Sequence, residues 1–210
     1  MDSNDRNSKN RDNPGLRTKS PEVFYWFGPF AKLILEAEPN PAHYALAEME
    51  ALDFIQMVIT QNADMLHQRA GTKQILEVHG SLAQATCIRC YKVAPALPIL
   101  EQYFVDGKVP ICQECGGVMK PNVILTGEQL PAKVLVAARK AVRESDVMII
   151  AGTSLSGGPA TALVKMSIEH GAKHIIVNKN PSRFDDYAEV ILYANVVDAL
   201  PDIDAILCRN

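Results

Sequence analysis

Residues 147–178 read VMIIAGTSLSGGPATALVKMSIEHGAKHIIVN. An apolar run from Val147 to Ile150 stops at Gly152, Thr153 and Ser154, a helical stretch follows from Ala160 to Glu169, and a second apolar run from Ile175 to Val177 is closed by Asn178. Short apolar runs that end in small polar residues read as buried strands, and strand, helix, strand is the repeating unit of a parallel sheet. Working outward, Met57 to Ile59 ends in Thr60, Gln61 and Asn62 ahead of a helix predicted over Ala63 to Ala70, a helix is predicted over Ala132 to Arg143, and Glu189 to Tyr193 reads as a further strand. The fold class is therefore α/β, a Rossmann-like parallel sheet with helices on both faces. Such sheets bind ligands at the carboxyl ends of their strands, so Thr60 to Asn62, Gly152 to Ser154 and Asn178 are expected to line one crevice.

Ahead of the sheet, Met1 to Ser20 holds eight charged side chains against Met1 and Leu16, too little apolar surface to repay ordering, and reads as a loose tail. The aromatic cluster Phe24, Tyr25, Trp26, Phe27 and Phe30 opens a helix that continues through Leu33, Ile34 and Leu35 and ends before Pro39. Asn40 followed by Pro41 is a cap with proline at the first helical position, and Tyr44, Leu46, Ala47 and Met49 carry on with helical spacing.

The 210 residues, 48% hydrophobic and 21% charged, suit one large folded domain or a domain with a small insert. Twenty-one basic against 24 acidic side chains give a net charge of −3, with no basic field to attract nucleic acid or anionic lipid. No apolar run approaches the roughly 20 residues needed to span a bilayer, and no signal peptide stands at the start, so the expected location is the cytoplasm with no membrane partner.

Cys87-Ile-Arg-Cys90 and Cys112-Gln-Glu-Cys115 are two C-x-x-C pairs 21 residues apart, the separation of a four-cysteine zinc site. Gly116-Gly117 gives the second turn its backbone freedom. With all four positions taken by cysteine, one structural zinc per chain is expected, with no open position for catalysis. A pair of disulfides is the alternative, disfavoured among reducing thiols. Cys208 is expected to be an idle thiol. His43, His170 and His174 read as structural or solvated, and helix packing accounts for His67. The expected division is a disordered tail over 1–20, a Rossmann-like domain over 21–79 and 121–204 with 21–38 in a small helical module, a zinc module over 80–120, and a tail over 205–210.

The run Thr60-Gln61-Asn62-Ala63-Asp64-Met65-Leu66-His67, then Ala70-Gly71, then Glu77-Val78-His79-Gly80, directly precedes the cysteines. Together with Pro121 to Glu128, Gly152-Thr153-Ser154-Leu155 and Asn178 closing a strand, this order resembles the sirtuins, the NAD-dependent protein deacylases, over roughly Pro14 to Pro201. The resemblance implies NAD as cosubstrate and an acyl-lysine protein or peptide as substrate. It implies that the acyl oxygen attacks the nicotinamide ribose, nicotinamide leaves, and the acyl group passes to the ribose. His79 resembles the family's general base, a task that suits an imidazole. By the same resemblance Gln61 and Asn62 bond the ribose and position water, Asp64 receives the nicotinamide carboxamide, and Gly152, Thr153, Ser154 and Asn178 hold the adenosine end. Read alone, Asn62 and Asp64 have a second explanation, as caps of the helix expected near Ala63.

The chain departs from the family at several places. Gly157 stands where the family has Val, Thr126 where it has Phe, and Ala63 where it has Ile, all reducing apolar surface around the inferred substrate and nicotinamide pocket. The family's first strand with its Gly-Ala-Gly-Ile-Ser loop, and its Pro-Asp-Phe-Arg segment, occur nowhere in the sequence. A truncated gene, a degenerate relative acting as a non-catalytic zinc-containing binding module, and an enzyme completed by a partner all stay open, as does mono-ADP-ribosyl transfer. Without that loop the expectation is weak NAD binding without turnover, and self-association through open sheet edges.

Overall fold

The computed structural model describes residues 22–125 and 127–208, so the predicted 1–20 tail and Thr126 lie outside the described residues. In chain order the elements are α1 (Glu22–Glu36), α2 (Pro41–Ala51), β1 (Val58–Thr60), α3 (Leu66–Ala70), β2 (Ile75–Glu77), β3 (Gly80–Cys87), β4 (Val93–Pro95), α4 (Ala96–Asp106), β5 (Met119–Val123), α5 (Ala132–Glu144), β6 (Val147–Ala151), α6 (Gly158–Glu169), β7 (Lys173–Val177), β8 (Val190–Leu192) and α7 (Val196–Leu207). They fall into two units. The first takes the described residues up to Ala37, Asn62–Met65 and His79–Pro131, and the second takes Glu38–Gln61, Leu66–Val78 and the chain from Ala132 onward.

In the first unit β3 is the centre of a three-stranded antiparallel sheet, with β4 on one side and β5 on the other. The unit's core is Phe24, Ala31, Leu82, Ala85, Cys87, Ala96, Leu100, Cys112 and Met119. α1 is held to α4 by the Tyr103 hydroxyl, which donates to the Phe24 carbonyl at 2.7 Å, with the two rings 5.2 Å apart. The cysteine spacing predicted a module here, but α4 and the antiparallel sheet had no strand-and-helix signature of the kind that marks the parallel sheet.

In the second unit β6, β7 and β8 pair in parallel. Alternate residues of β6 serve opposite faces, as a strand requires. Met148 and Ile150 pack with residues of α6, while Ile149 and Ala151 pack against the core that α2 and α7 form through Ala42, Ala45, Met49 and Leu200. Helices thus cover both faces. α2 begins as its sequence predicts, with the Asn40 side chain accepting from the Ala42 and His43 amides and the His43 ring accepting from the Asn40 amide.

The parallel sheet is in two pieces. β1 pairs with β2 alone, and among the described residues no strand joins β1 to β6. Both pieces share one core, because Ile59 and Leu76 pack with Met148 around Val78, Ala138, Val142 and Leu163. Two expectations need correction. The helix predicted from Ala63 starts at Leu66, because Met65 adopts a left-handed φ of 63° that no continuing helix tolerates. The 205–210 tail is helical as far as Leu207, whose side chain packs on the core of α2 and α7.

Candidate functional site

The four cysteines come together in the first unit. Their sulfurs lie within 4.8 Å of one another, with Cys87 Sγ 3.5 Å from Cys115 Sγ and Cys90 Sγ 3.6 Å from Cys112 Sγ. These distances are near the roughly 3.8 Å edge of a tetrahedron with zinc–sulfur bonds of about 2.3 Å, and all four thiols are free rather than bridged. The amides of Arg89 and Cys90 point at Cys87 Sγ, at 3.4 and 3.5 Å. The Cys90 amide leads in drawing the Cys87 thiol down to about 6, and the Glu114 and Cys115 amides lower Cys112. Cys90 is pushed up to about 12: the Lys92 amide favours its thiolate, but Cys115, burial, Cys87 and Cys112 together outweigh it. Without a cation four adjacent sulfurs cannot all ionise; a bound dication removes that conflict. Gly117 is required as glycine, since a Cβ there would lie 2.8 Å from Cys87 Sγ and 2.7 Å from Arg89 Cβ. The donor set, its geometry and its closed shell fit a structural zinc.

Also in the first unit, Asn62 to Met65 is tied to β3 by the Leu82 amide donating to the Ala63 carbonyl at 3.0 Å. Ala63 therefore holds the loop through its backbone. The helix begins at Leu66, two residues past Asp64 and four past Asn62. His79 precedes β3, its carbonyl accepting from the Ile124 amide at 2.8 Å. Gly80 has φ 75°, and a Cβ there would sit 1.9 Å from the Asn122 carbonyl oxygen, so the His79-Gly80 pair requires its glycine. A pair that the sequence did not disclose braces the Pro121–Glu128 stretch. The nearly buried Lys120 ammonium donates to Glu128 at 2.9 Å and to the Val123 carbonyl at 3.0 Å, while Glu128 accepts from the Leu125 amide.

In the second unit an open cavity of about 300 Å³ lies at the carboxyl ends of β6 and β7. Gly152, Thr153, Ser154 and Asn178 line it, whereas Thr60, Gln61 and Asn62, expected in the same crevice, are not among its lining residues. The buried Asn178 side chain accepts from the Thr153 amide at 3.0 Å and donates to the Thr153 carbonyl at 2.9 Å, so it fixes the loop with both ends of its amide. The Gln61 side chain at the end of β1 accepts from the Thr153 hydroxyl at 3.5 Å, whereas Thr60 is the buried last residue of β1. Lys179, Asn180, Pro181 and Asn195 also line the cavity. The first three follow Asn178 directly, so reading past the strand end would have found them.

The sequence profile of the Sir2 family matches residues 4–159. This chain belongs to the Sir2 family. It is 40% identical over 186 residues to NAD-dependent protein deacylase 2 of Archaeoglobus fulgidus, covering 88% of this sirtuin and 73% of that protein. It is 40% identical over 169 residues to the NAD-dependent protein deacetylase of Caldivirga maquilingensis, covering 80% of this chain and 65% of that one. A solved complex of Sir2 with p53 peptide and NAD+ superposes with a TM-score of 0.81 at 34% identity, over 90% of this sirtuin and 82% of that chain. A second, bound to a propionylated peptide, gives 0.81 at 32% identity over 98% and 90%. The fold is the sirtuin fold. No helix among the described residues is long and apolar enough to cross a membrane.

Proposed function

We propose that this sirtuin removes acyl groups from lysine side chains of proteins or peptides in an NAD-dependent reaction. NAD, when bound, supplies the ribose carbon to which the acyl oxygen adds and the leaving group, nicotinamide. His79 takes a ribose hydroxyl proton, Asn62 positions water and the ribose, and Asp64 receives the carboxamide. Gln61, Gly152, Thr153, Ser154 and Asn178 hold the rest of the dinucleotide. The observation that carries this reading is the Gly152–Ser154 loop, fixed by Asn178 beside a cavity at the strand ends, in a chain whose relatives are named deacylases and deacetylases. Free thiols in the four-cysteine set support a cytoplasmic setting.

The test is nicotinamide release by zinc-loaded protein from NAD and an acetyl-lysine peptide at millimolar NAD. Release is expected to depend on both substrates, and His79→Ala is expected to lower it by about 10²-fold or more while zinc content and fold persist. Equal release by the mutant contradicts the role of His79. Among the described residues no strand pairs with the outer edges of β1 and β6, which favours a second reading, a binding module whose β1 and β6 edges associate with another copy. Absence of any release, with a sedimentation coefficient that rises with concentration, would favour it over the deacylase.

A further inference from the structure

Three side chains outside the site converge in the second unit, where α2 packs on α7. Glu48 lies on α2, and Asp204 and Cys208 stand four residues apart on one face of α7 and its cap. Cys208 Sγ is 3.5 Å from Asp204 Oδ1 and 3.8 Å from Glu48 Oε1, and the three donor atoms lie within 4.8 Å of one another. Asp204 is only 8% exposed, at a helix interface whose core is Ala45, Met49 and Leu200. Among the described residues its carboxylate has no partner except the Cys208 thiol, and no lysine or arginine pairs with it or with Glu48. A carboxylate so buried is costly unless a cation compensates it.

We propose that Glu48, Asp204 and Cys208 form a second metal site on this protein, one that takes Zn²⁺. Tetrahedral zinc with a sulfur at about 2.3 Å and oxygens at about 2.0–2.2 Å sets sulfur and oxygen ligands roughly 3.5 Å apart, as found here. A thiolate among the donors selects against Mg²⁺ and Ca²⁺, which take all-oxygen shells. Burial, followed by the two carboxylates, holds the Cys208 thiol up in the absence of metal. Binding therefore forms the zinc–sulfur bond as the thiol proton passes to solvent. Glu48 and Cys208 are exposed, so the ion enters from solvent, and a fourth position remains for water. The closed four-cysteine set is distinct in both respects. Occupancy ties α2 to α7.

Protein carrying one zinc on the four cysteines, titrated with Zn²⁺, is expected to take up one further equivalent. Co²⁺ at that equivalent is expected to give the charge-transfer band of a single thiolate. Cys208→Ser should abolish the band and the uptake, and Glu48→Gln, on an exposed side chain, should weaken uptake while leaving the thiol in place. A wild-type protein that takes up no second equivalent, or a second equivalent that either variant leaves unchanged, overturns the assignment.

Discussion

Gly157 separates what a residue is from what its position permits. Its φ of 166° is extended backbone open to any side chain, and a Cβ there meets no atom within 4 Å. The glycine is therefore not demanded by the fold, unlike Gly80 and Gly117, whose missing side chains make room for Asn122 and Cys87. Gly157 is the N-cap of α6, where valine caps poorly, so Gly157→Val should fold with stability lowered by about 1 kcal/mol and lower the KM for an acyl-lysine peptide by up to about tenfold, the worth of about 1.4 kcal/mol of added apolar contact. A peptide KM that is unchanged or higher in the variant would remove Gly157 from the substrate surface. The residue scale is also where sequence reading did best with chemistry. Cysteines, Asn178 and the Gly152–Ser154 loop stood out because each pattern has few physical uses. Lys120 did not, because a lysine reads as solvated until its carboxylate and carbonyl partners are seen around it.

At the scale of elements, the zinc module and the core of the first unit are the same object. Cys87 and Cys112 are buried core residues beside Leu82, Ala85 and Leu100, and β3 runs straight into the first ligand pair. Metal binding and formation of β3, β4 and β5 should therefore be inseparable. Chelation, or Cys112→Ser, is expected to abolish the near-ultraviolet circular dichroism of this unit and to cause aggregation. A zinc-free protein with native dichroism and unchanged melting temperature would contradict that coupling. β6, α6 and β7 were legible because strand and helix periods alternate cleanly and punctuation falls at Gly152 and Asn178. α4 and the antiparallel sheet were not, since their stability comes from the metal and from α1 rather than from local pattern. The start of α3 was missed for a local reason, the left-handed backbone at Met65, which nothing in that side chain announces.

Across the whole molecule, the family was readable from the order of its motifs, and so was the absence of a glycine-rich loop ahead of Pro21. What the sequence could not display is how the two pieces of the parallel sheet are held together. Helix packing around Val78, Ala138 and Val142 keeps β1–β2 and β6–β7–β8 in one core, with no strand between them among the described residues. The residues assigned to ribose, nicotinamide and adenosine are present, so weakened turnover replaces the expected absence of turnover, while among the described residues no second glycine-rich loop offers the diphosphate its backbone. Losing two or three charge-assisted hydrogen bonds of about 1.5–3 kcal/mol each weakens binding by at least about a hundredfold. The most direct measurement is the KM for NAD in nicotinamide release, with zinc-loaded protein and an acetyl-lysine peptide, beside the Archaeoglobus fulgidus relative under identical conditions. Release that requires His79 is expected, with a KM for NAD at least about a hundredfold higher than the relative's. A KM equal to the relative's, or release that persists without His79, would contradict it.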